Sequence, residues 1–278
     1  MTILVTGATG SVGRKVVDQL VARGVSDIRA LTVNPAKAAL PAGVVPVRGN
    51  LRRPETLGGA FDGVERIYLA PAPEVAGEVL ALAAASGVRH VVDLSGEPDS
   101  WWGSVNNAVE DSGLAWTHLW PADFMENSTV WARQIRETGA VREPRPDMAT
   151  APVAMDDIAA VAATALLDDT HFGRAYPLAG PEVITRVEQV AHIADAIGRE
   201  ITFIESDRAA TIAALAPSMG ENTEWFVDNV LLGYSPPTDT LPITSVEDIV
   251  GRRAITFREW AKANAEQFIG GKPTPPTT

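Results

Sequence analysis

The residues of this chain best suited to chemistry are small ones: Thr6-Gly7-Ala8-Thr9-Gly10-Ser11-Val12-Gly13, a glycine-spaced run close to the N-terminus. Gly7 permits a tight turn, Gly10 lets backbone N–H groups approach a pyrophosphate, and Gly13 lets the following helix lie close on a sheet. The anion would rest at the helix N-terminus, where unpaired N–H groups and the macrodipole favour negative charge. A ligand-free strand–helix turn would use the same residues. Other candidates are scattered. Ser95 would orient a carbonyl or serve an ordinary turn, and Asp123 and Glu126, after Pro121, would be pocket carboxyls or helix caps. Trp101, Trp102, Trp120 and Trp131 would wall an aromatic pocket or fill core, with the Trp101–Trp102 pair favouring the pocket. Asn106 and Asn107 would polarise a substrate oxygen or cap the surface.

Much chemistry is excluded. The 278 residues include no cysteine, which removes thiol nucleophiles, thiolate metal sites and disulfides. His90, His118, His171 and His192 show no ligand-like spacing, so no metal is expected. A formal charge of −12 argues against nucleic acid and anionic membrane as partners. No apolar stretch is long enough to span a bilayer, and the N-terminus enters a strand without the charged region of a signal peptide. The expectation is a soluble cytoplasmic protein, monomer or homodimer, with a small-molecule ligand.

Elements alternate through the first part of the chain. Buried strands are expected at 3–6, 28–32, 44–48, 67–69, 91–94 and 115–119, with helices at 12–21 and 75–85 between them. This βαβ rhythm predicts an α/β fold, a Rossmann-type doubly wound parallel sheet, with a smaller C-terminal α+β substrate lobe. Beyond Pro121 a helix is expected at 123–136 and an irregular connection at 138–152. Asp156 or Asp157 should cap a helix reaching 167, and further helices are expected at 185–197 and 257–268. The expected organisation is a dinucleotide domain over 1–150, a substrate lobe over 151–271 interleaved with it, and a proline-rich disordered tail at 272–278.

The Thr-Gly-Ala-Thr-Gly form resembles the atypical and extended short-chain dehydrogenases/reductases. Trp116-Thr117-His118-Leu119-Trp120-Pro121 with Phe124-Met125-Glu126-Asn127 narrows the resemblance to the NmrA-like branch, as do Asp157-Ile158-Ala159, Gly173-Arg174-Ala175-Tyr176, Gly180-Pro181-Glu182 and Thr256-Phe257-Arg258-Glu259-Trp260. The resemblance covers residues 1 to about 270. It implies NADP, with NAD as the other choice, held by Thr6, Gly7, Thr9, Gly10, Ser11, Val12, Gly13, Val33, Lys37, Asn50, Leu51, Ala70, Pro71 and Pro121.

Three departures qualify that implication. Val33 replaces the arginine that usually grips the 2′-phosphate, and no carboxylate stands there to favour NAD; Lys37 remains as a point charge. Asn50 replaces an aspartate beside the adenine. The usual Tyr-x-x-x-Lys relay is missing, since Pro98 and Trp102 fall at those places, and Trp102 and Asn106 stand where many NmrA-like chains keep a charged pair. Three readings stay open: an NAD(P)H-dependent oxidoreductase on a quinone-like or polyketide-like aromatic carbonyl, with Ser95, Trp102, Asn106 and Asp123 at the reacting site; an isomerase, cyclase or lyase on the same fold; and an NADP-sensing regulator acting through a protein partner.

Overall fold

The computed structural model describes residues 1–98, 100, 102–233 and 245–270. The first half is built from β1 (Ile3–Val5), α1 (Ser11–Ala22), β2 (Ile28–Thr32), β3 (Val45–Arg48), β4 (Arg66–Leu69), α2 (Ala76–Ala85), β5 (His90–Leu94), α3 (Gly103–Asp111) and β6 (Ala115–Pro121). β1, β4 and β5 are buried in almost every position because both faces of the sheet are covered. α1 buries Val12, Gly13, Val16, Val17 and Leu20, the stripe a 3.6-residue period puts on one side. Gly24, at φ +76°, turns the chain back toward β2.

The second half adds α4 (Ala132–Thr138), β7 (Ala140–Glu143), β8 (Ala149–Thr150), α5 (Met155–Ala165), β9 (Arg174–Leu178), β10 (Ile184–Thr185), α6 (Arg186–Ile197) and β11 (Thr202–Glu205). The helices α7 (Arg208–Met219), α8 (Thr223–Phe226), α9 (Ser245–Val250), α10 (Phe257–Ala263) and α11 (Glu266–Ile269) complete it. The central sheet has seven parallel strands in the order β3-β2-β1-β4-β5-β6-β9. The strand order reverses between β1 and β4, which opens a crevice at their carboxyl ends. β9 and α5, both beyond residue 150, belong to this sandwich: β9 extends the sheet past β6, and α5 packs its alanines against α1. Two small sheets, β7 with β11 and β8 with β10, lie outside it. A separate apolar cluster around Trp131, Phe257, Trp260 and Phe268 forms the C-terminal part.

Several expectations need correction. The helix expected at 123–136 begins as a 3-10 turn, Met125–Trp131, and becomes α-helical only at Ala132. Phe124 is held extended by a bridge to Val153, and the Thr129 hydroxyl donates to the Glu126 carbonyl, so side chains compete with the α ladder. The connection expected at 138–152 contains β7 and β8. Ala154, rather than Asp156 or Asp157, precedes α5 as its cap position. Asp157 instead accepts from Arg252 Nη1 and the Ile255 amide, both at 2.7 Å, tying the C-terminal segment to α5. The last helix is divided at Asn264. The tail 272–278 and Trp101 lie outside the described residues.

Candidate functional site

The glycine run stands at the reversal point, and each glycine is required for a different reason. Gly7 sits at φ +59°, and a Cβ there would lie 2.8 Å from that of Ala70. A Cβ on Gly13 would lie 2.2 Å from the Gly7 carbonyl oxygen, a collision with backbone that nothing flexible can relieve. Gly10 is less crowded: its Cβ would meet the Gly7 oxygen at 3.2 Å. That contact is still tighter than ordinary packing, so the turn itself favours a glycine here, as a closely approaching ligand also would. α1 starts with no side chain capping it and no acidic residue in its first turn, so its first N–H groups point outward unopposed. Thr6 fixes the loop from behind. Its hydroxyl donates to the Tyr68 carbonyl at 2.9 Å and accepts from the Ala70 amide at 2.8 Å. This cradle fits a dinucleotide diphosphate.

The other expected cofactor positions occupy the same carboxyl edge. Thr9 is half-buried, Ser11 is exposed and Val12 is buried in α1. Val33 is 63% exposed at the end of β2, and Lys37 is exposed in the short turn Pro35–Lys37. Arg14, which the sequence reading passed over, reaches the same segment: its Nη1 donates to the Ala39 carbonyl at 2.8 Å while its Nε donates to Asp18. Asn50 spends its side-chain oxygen on the Arg52 amide at 3.0 Å, leaving its NH2 group as the donor available to an adenine edge. Leu51 packs against the core layer beneath.

Next to Pro71 and Pro121 opens a cavity of about 740 Å³. Ser95, Trp102, Trp120, Asp123 and Trp131 all line it, together with Phe124, Trp225 and Phe226. Most of the expected residues thus converge, but Asn106, Asn107 and Glu126 do not line the cavity. Asn106 is 1% exposed inside α3, a helix not anticipated around these poor helix formers. It accepts from Trp120 Nε1 and donates to Glu110 Oε1, each at 3.3 Å, and lies behind the cavity wall. Pro98 is also structural: Gly103 packs so closely beneath its carbonyl that a Cβ would lie 1.9 Å away. Glu126 turns away to accept from the Met155 amide and Trp260 Nε1, each at 3.2 Å.

The cavity floor is polar and was invisible in the sequence. Arg186, from the start of α6, donates to Glu143 Oε2 at 2.5 Å, and Glu143 also accepts from Trp131 Nε1. Burial pushes the Glu143 carboxyl up against the opposing pull of Arg186. Asp123 accepts from Asn127 at 2.8 Å and from Thr150 at 3.2 Å, so it caps no helix. Burial raises its pKa too, opposed chiefly by the Asn127 hydrogen bond. Apart from the neighbouring Asp123 and Asn127, these partners come from segments far apart in the chain and share no local pattern. Among the described residues no group of His, Asp and Glu has the arrangement of a metal site, and no helix is long and apolar enough to cross a membrane.

Residues 7–98 match a family model described as NAD(P)H-binding. Over 284 residues the chain is 36% identical to a (4-alkanoyl-5-oxo-2,5-dihydrofuran-3-yl)methyl phosphate reductase of Streptomyces griseus, spanning 96% of this chain and 99% of that one. It is 34% identical to an NAD(P)H azoreductase of Xenophilus azovorans, again over 96% and 99% of the two chains. A crystal structure of an Escherichia coli NADPH-dependent quinone oxidoreductase complexed with NADPH superposes with a TM-score of 0.83, at 26% identity, over 94% of this chain and 99% of that one. The chain belongs to the NmrA-like branch of the atypical short-chain dehydrogenases/reductases, the NAD(P)H-dependent Rossmann oxidoreductases. Its cofactor is NAD(P)H.

Proposed function

We propose that the protein reduces a flat, apolar carbonyl or quinone-like substrate bound in the cavity between β5, β6 and the C-terminal part. The observation that carries this reading is the placement of an aromatic-walled space of about 740 Å³ beside Pro71 and Pro121, on the edge where the glycine cradle stands. NAD(P)H supplies hydride when bound. The chain's own contributions are to orient and to protonate. The Ser95 hydroxyl, at the end of β5, donates its proton to the substrate oxygen as charge develops there. Trp102 covers one face of the ring, and Asp123, held by Asn127 and Thr150, fixes a polar edge of the substrate on the far side. Asn106 acts one layer back, by holding Trp120. Thr6, Gly7, Thr9, Gly10, Ser11, Val12 and Gly13 hold the diphosphate, with Val33, Lys37, Asn50, Leu51, Ala70, Pro71 and Pro121 around the rest of the dinucleotide. In this reading residues 1–150 carry the cofactor, 151–271 shape the substrate side, and the protein works in the cytoplasm as a monomer or homodimer.

The test is NADPH oxidation against a panel of quinones, azo compounds and unsaturated lactones, with Gly10→Val and Ser95→Ala alongside the wild type. Gly10→Val should remain folded and lose NADPH binding. Ser95→Ala should keep NADPH affinity and lose about 100-fold in kcat, the low end of a general acid's contribution. A wild type that binds NADPH tightly yet reduces no member of the panel would overturn the catalytic reading.

A further inference from the structure

Three ionisable side chains stand in line on the face of the sheet covered by α3, and the reaction above uses none of them. Asp93 is wholly buried on β5 and faces His118, its register partner on β6. His118 Nδ1 and Asp93 Oδ2 share a hydrogen bond of 2.6 Å. The imidazole stacks on Trp116, ring centroids 4.2 Å apart, with Trp120 on its other side at 6.1 Å. Its Nε2 stands 3.5 Å from Glu110 Oε1, and the Glu110 side chain is 49% exposed. At the other end Ser95 lies two positions beyond Asp93, on the same side of the strand, and lines the cavity. Ser95 Oγ, Asp93 Oδ1 and His118 Nε2 are buried with no further partners: the Ser95 hydroxyl sits against the Asp93 carboxyl and opposes the rise of its pKa, and His118 Nε2 faces Glu110. A pair kept only for packing has no need of a polar neighbour at each end.

We infer that Glu110, His118, Asp93 and Ser95 form a proton path from solvent to the cavity, resupplying the hydroxyl proton that the reduced substrate takes. The inference rests on the reading of Ser95 given above. Reduction of a carbonyl or quinone consumes one hydride and one proton. Ser95 Oγ gives its proton to the substrate oxygen and takes one from Asp93 Oδ1. Asp93 Oδ2 takes the proton on His118 Nδ1, and His118 Nε2 takes one from Glu110 or from water reaching it. Rotation of the Asp93 carboxyl and return of the histidine proton to Nδ1 reset the line. One proton leaves solvent, one enters product, and the side chains end as they began.

The surroundings suit this path. Burial pushes the Asp93 carboxyl above the usual carboxylate range, against the pull of His118, which brings its protonated form within reach. Among the described residues Glu110 from α3 faces the pair; Tyr68 from β4 packs on the other face of the sheet beside Val92, and its phenol is pushed up by burial and by Asp93. Asn106 donates to Glu110 Oε1 at 3.3 Å and so steadies that carboxylate beside the imidazole. The path does the work of the missing Tyr-x-x-x-Lys pair from a different direction.

The test uses the full chain and two readouts. A protonated imidazole stacked on an indole quenches its emission, so cofactor-free tryptophan fluorescence reports the charge on His118. The wild-type emission, followed across pH, gives the reference transition. Glu110→Gln should move that transition to lower pH, because a carboxylate 3.5 Å from the ring favours the cation. His118→Gln, which keeps a donor for Asp93, should abolish it. With NADPH and a quinone, Glu110→Gln should lower kcat about tenfold, enlarge the solvent deuterium isotope effect, leave KM unchanged, and be rescued by added imidazole. Glu110 is at the surface, so this variant folds even if His118→Gln does not. A fluorescence transition indifferent to Glu110→Gln, or a kcat and isotope effect equal to wild type in that variant, overturns the path. If the wild type reduces no acceptor, the reading of Ser95 fails, and the fluorescence midpoint still decides whether Glu110 couples to the buried pair.

Discussion

The cofactor edge and the cavity floor meet at Pro71 and Pro121, yet they are built in opposite ways. The cofactor edge is local: a short contiguous run supplies the turn, the free amides and the helix end, and Gly7 and Gly13 are fixed by collisions with backbone or Cβ. The floor is assembled from Asp123, Asn127, Glu143, Thr150 and Arg186, drawn from separate elements and held by side-chain hydrogen bonds. Steric rules can be read from consecutive residues, whereas a long-range polar network cannot. The difference extends to substitution: the floor is expensive to break, and the edge can be retuned.

The largest effect tests the cost of the floor. Glu143→Ala strips the partner from Arg186, whose side chain is only 10% exposed, and should destabilise the fold by about 3–5 kcal/mol in urea titration. A loss under about 1 kcal/mol would mean that water replaces the carboxylate, and the two regions would then differ less than their construction suggests. Trp102→Ala comes next. This side chain is 37% exposed, so stability should scarcely change, while affinity for an apolar aromatic ligand falls by about 1–3 kcal/mol. Unchanged affinity would remove Trp102 from the substrate surface.

An effect of similar size, on cofactor choice and not on stability, belongs to the edge. With Val33 exposed and offering no charge, wild type should discriminate NADP from NAD by about tenfold or less, and Val33→Arg should shift the preference toward NADP by roughly one charge-assisted contact, ~1.5–3 kcal/mol. Competitive titration of both cofactors measures it. A wild-type preference above about a thousandfold, some 4 kcal/mol, would point to Arg14 or Lys37 as a full replacement for the missing arginine.

Most of the parallel sheet was legible because its strands are short apolar runs punctuated by glycine and capping residues. The glycine cradle was legible for the same reason. α3 was missed because its segment, with two adjacent asparagines, has poor helix propensity, and Asn106 is stabilised only by Trp120 and Glu110. β7 escaped notice because four residues carry no periodicity and its partner β11 lies some 60 residues on. The convergence of Ser95, Trp120 and Asp123 on one cavity follows from their places at carboxyl ends of strands, and Trp102 joins them from the start of α3. Arg186 gave no comparable signal: on sequence alone it is a charged residue opening a capped helix.

The late return of the chain to its first layer has a consequence for biosynthesis. α5 seals the outward face of α1, and β9 covers the edge of β6, so the nucleotide half cannot close until residue 178 has cleared the ribosome. Until then the nascent chain carries a bare parallel edge and an apolar helix face, the surfaces on which unfinished sheets stick to one another. The order of the chain makes the sheet wait for α5 and β9, and a first half released early would be a target for chaperones before it could serve any ligand.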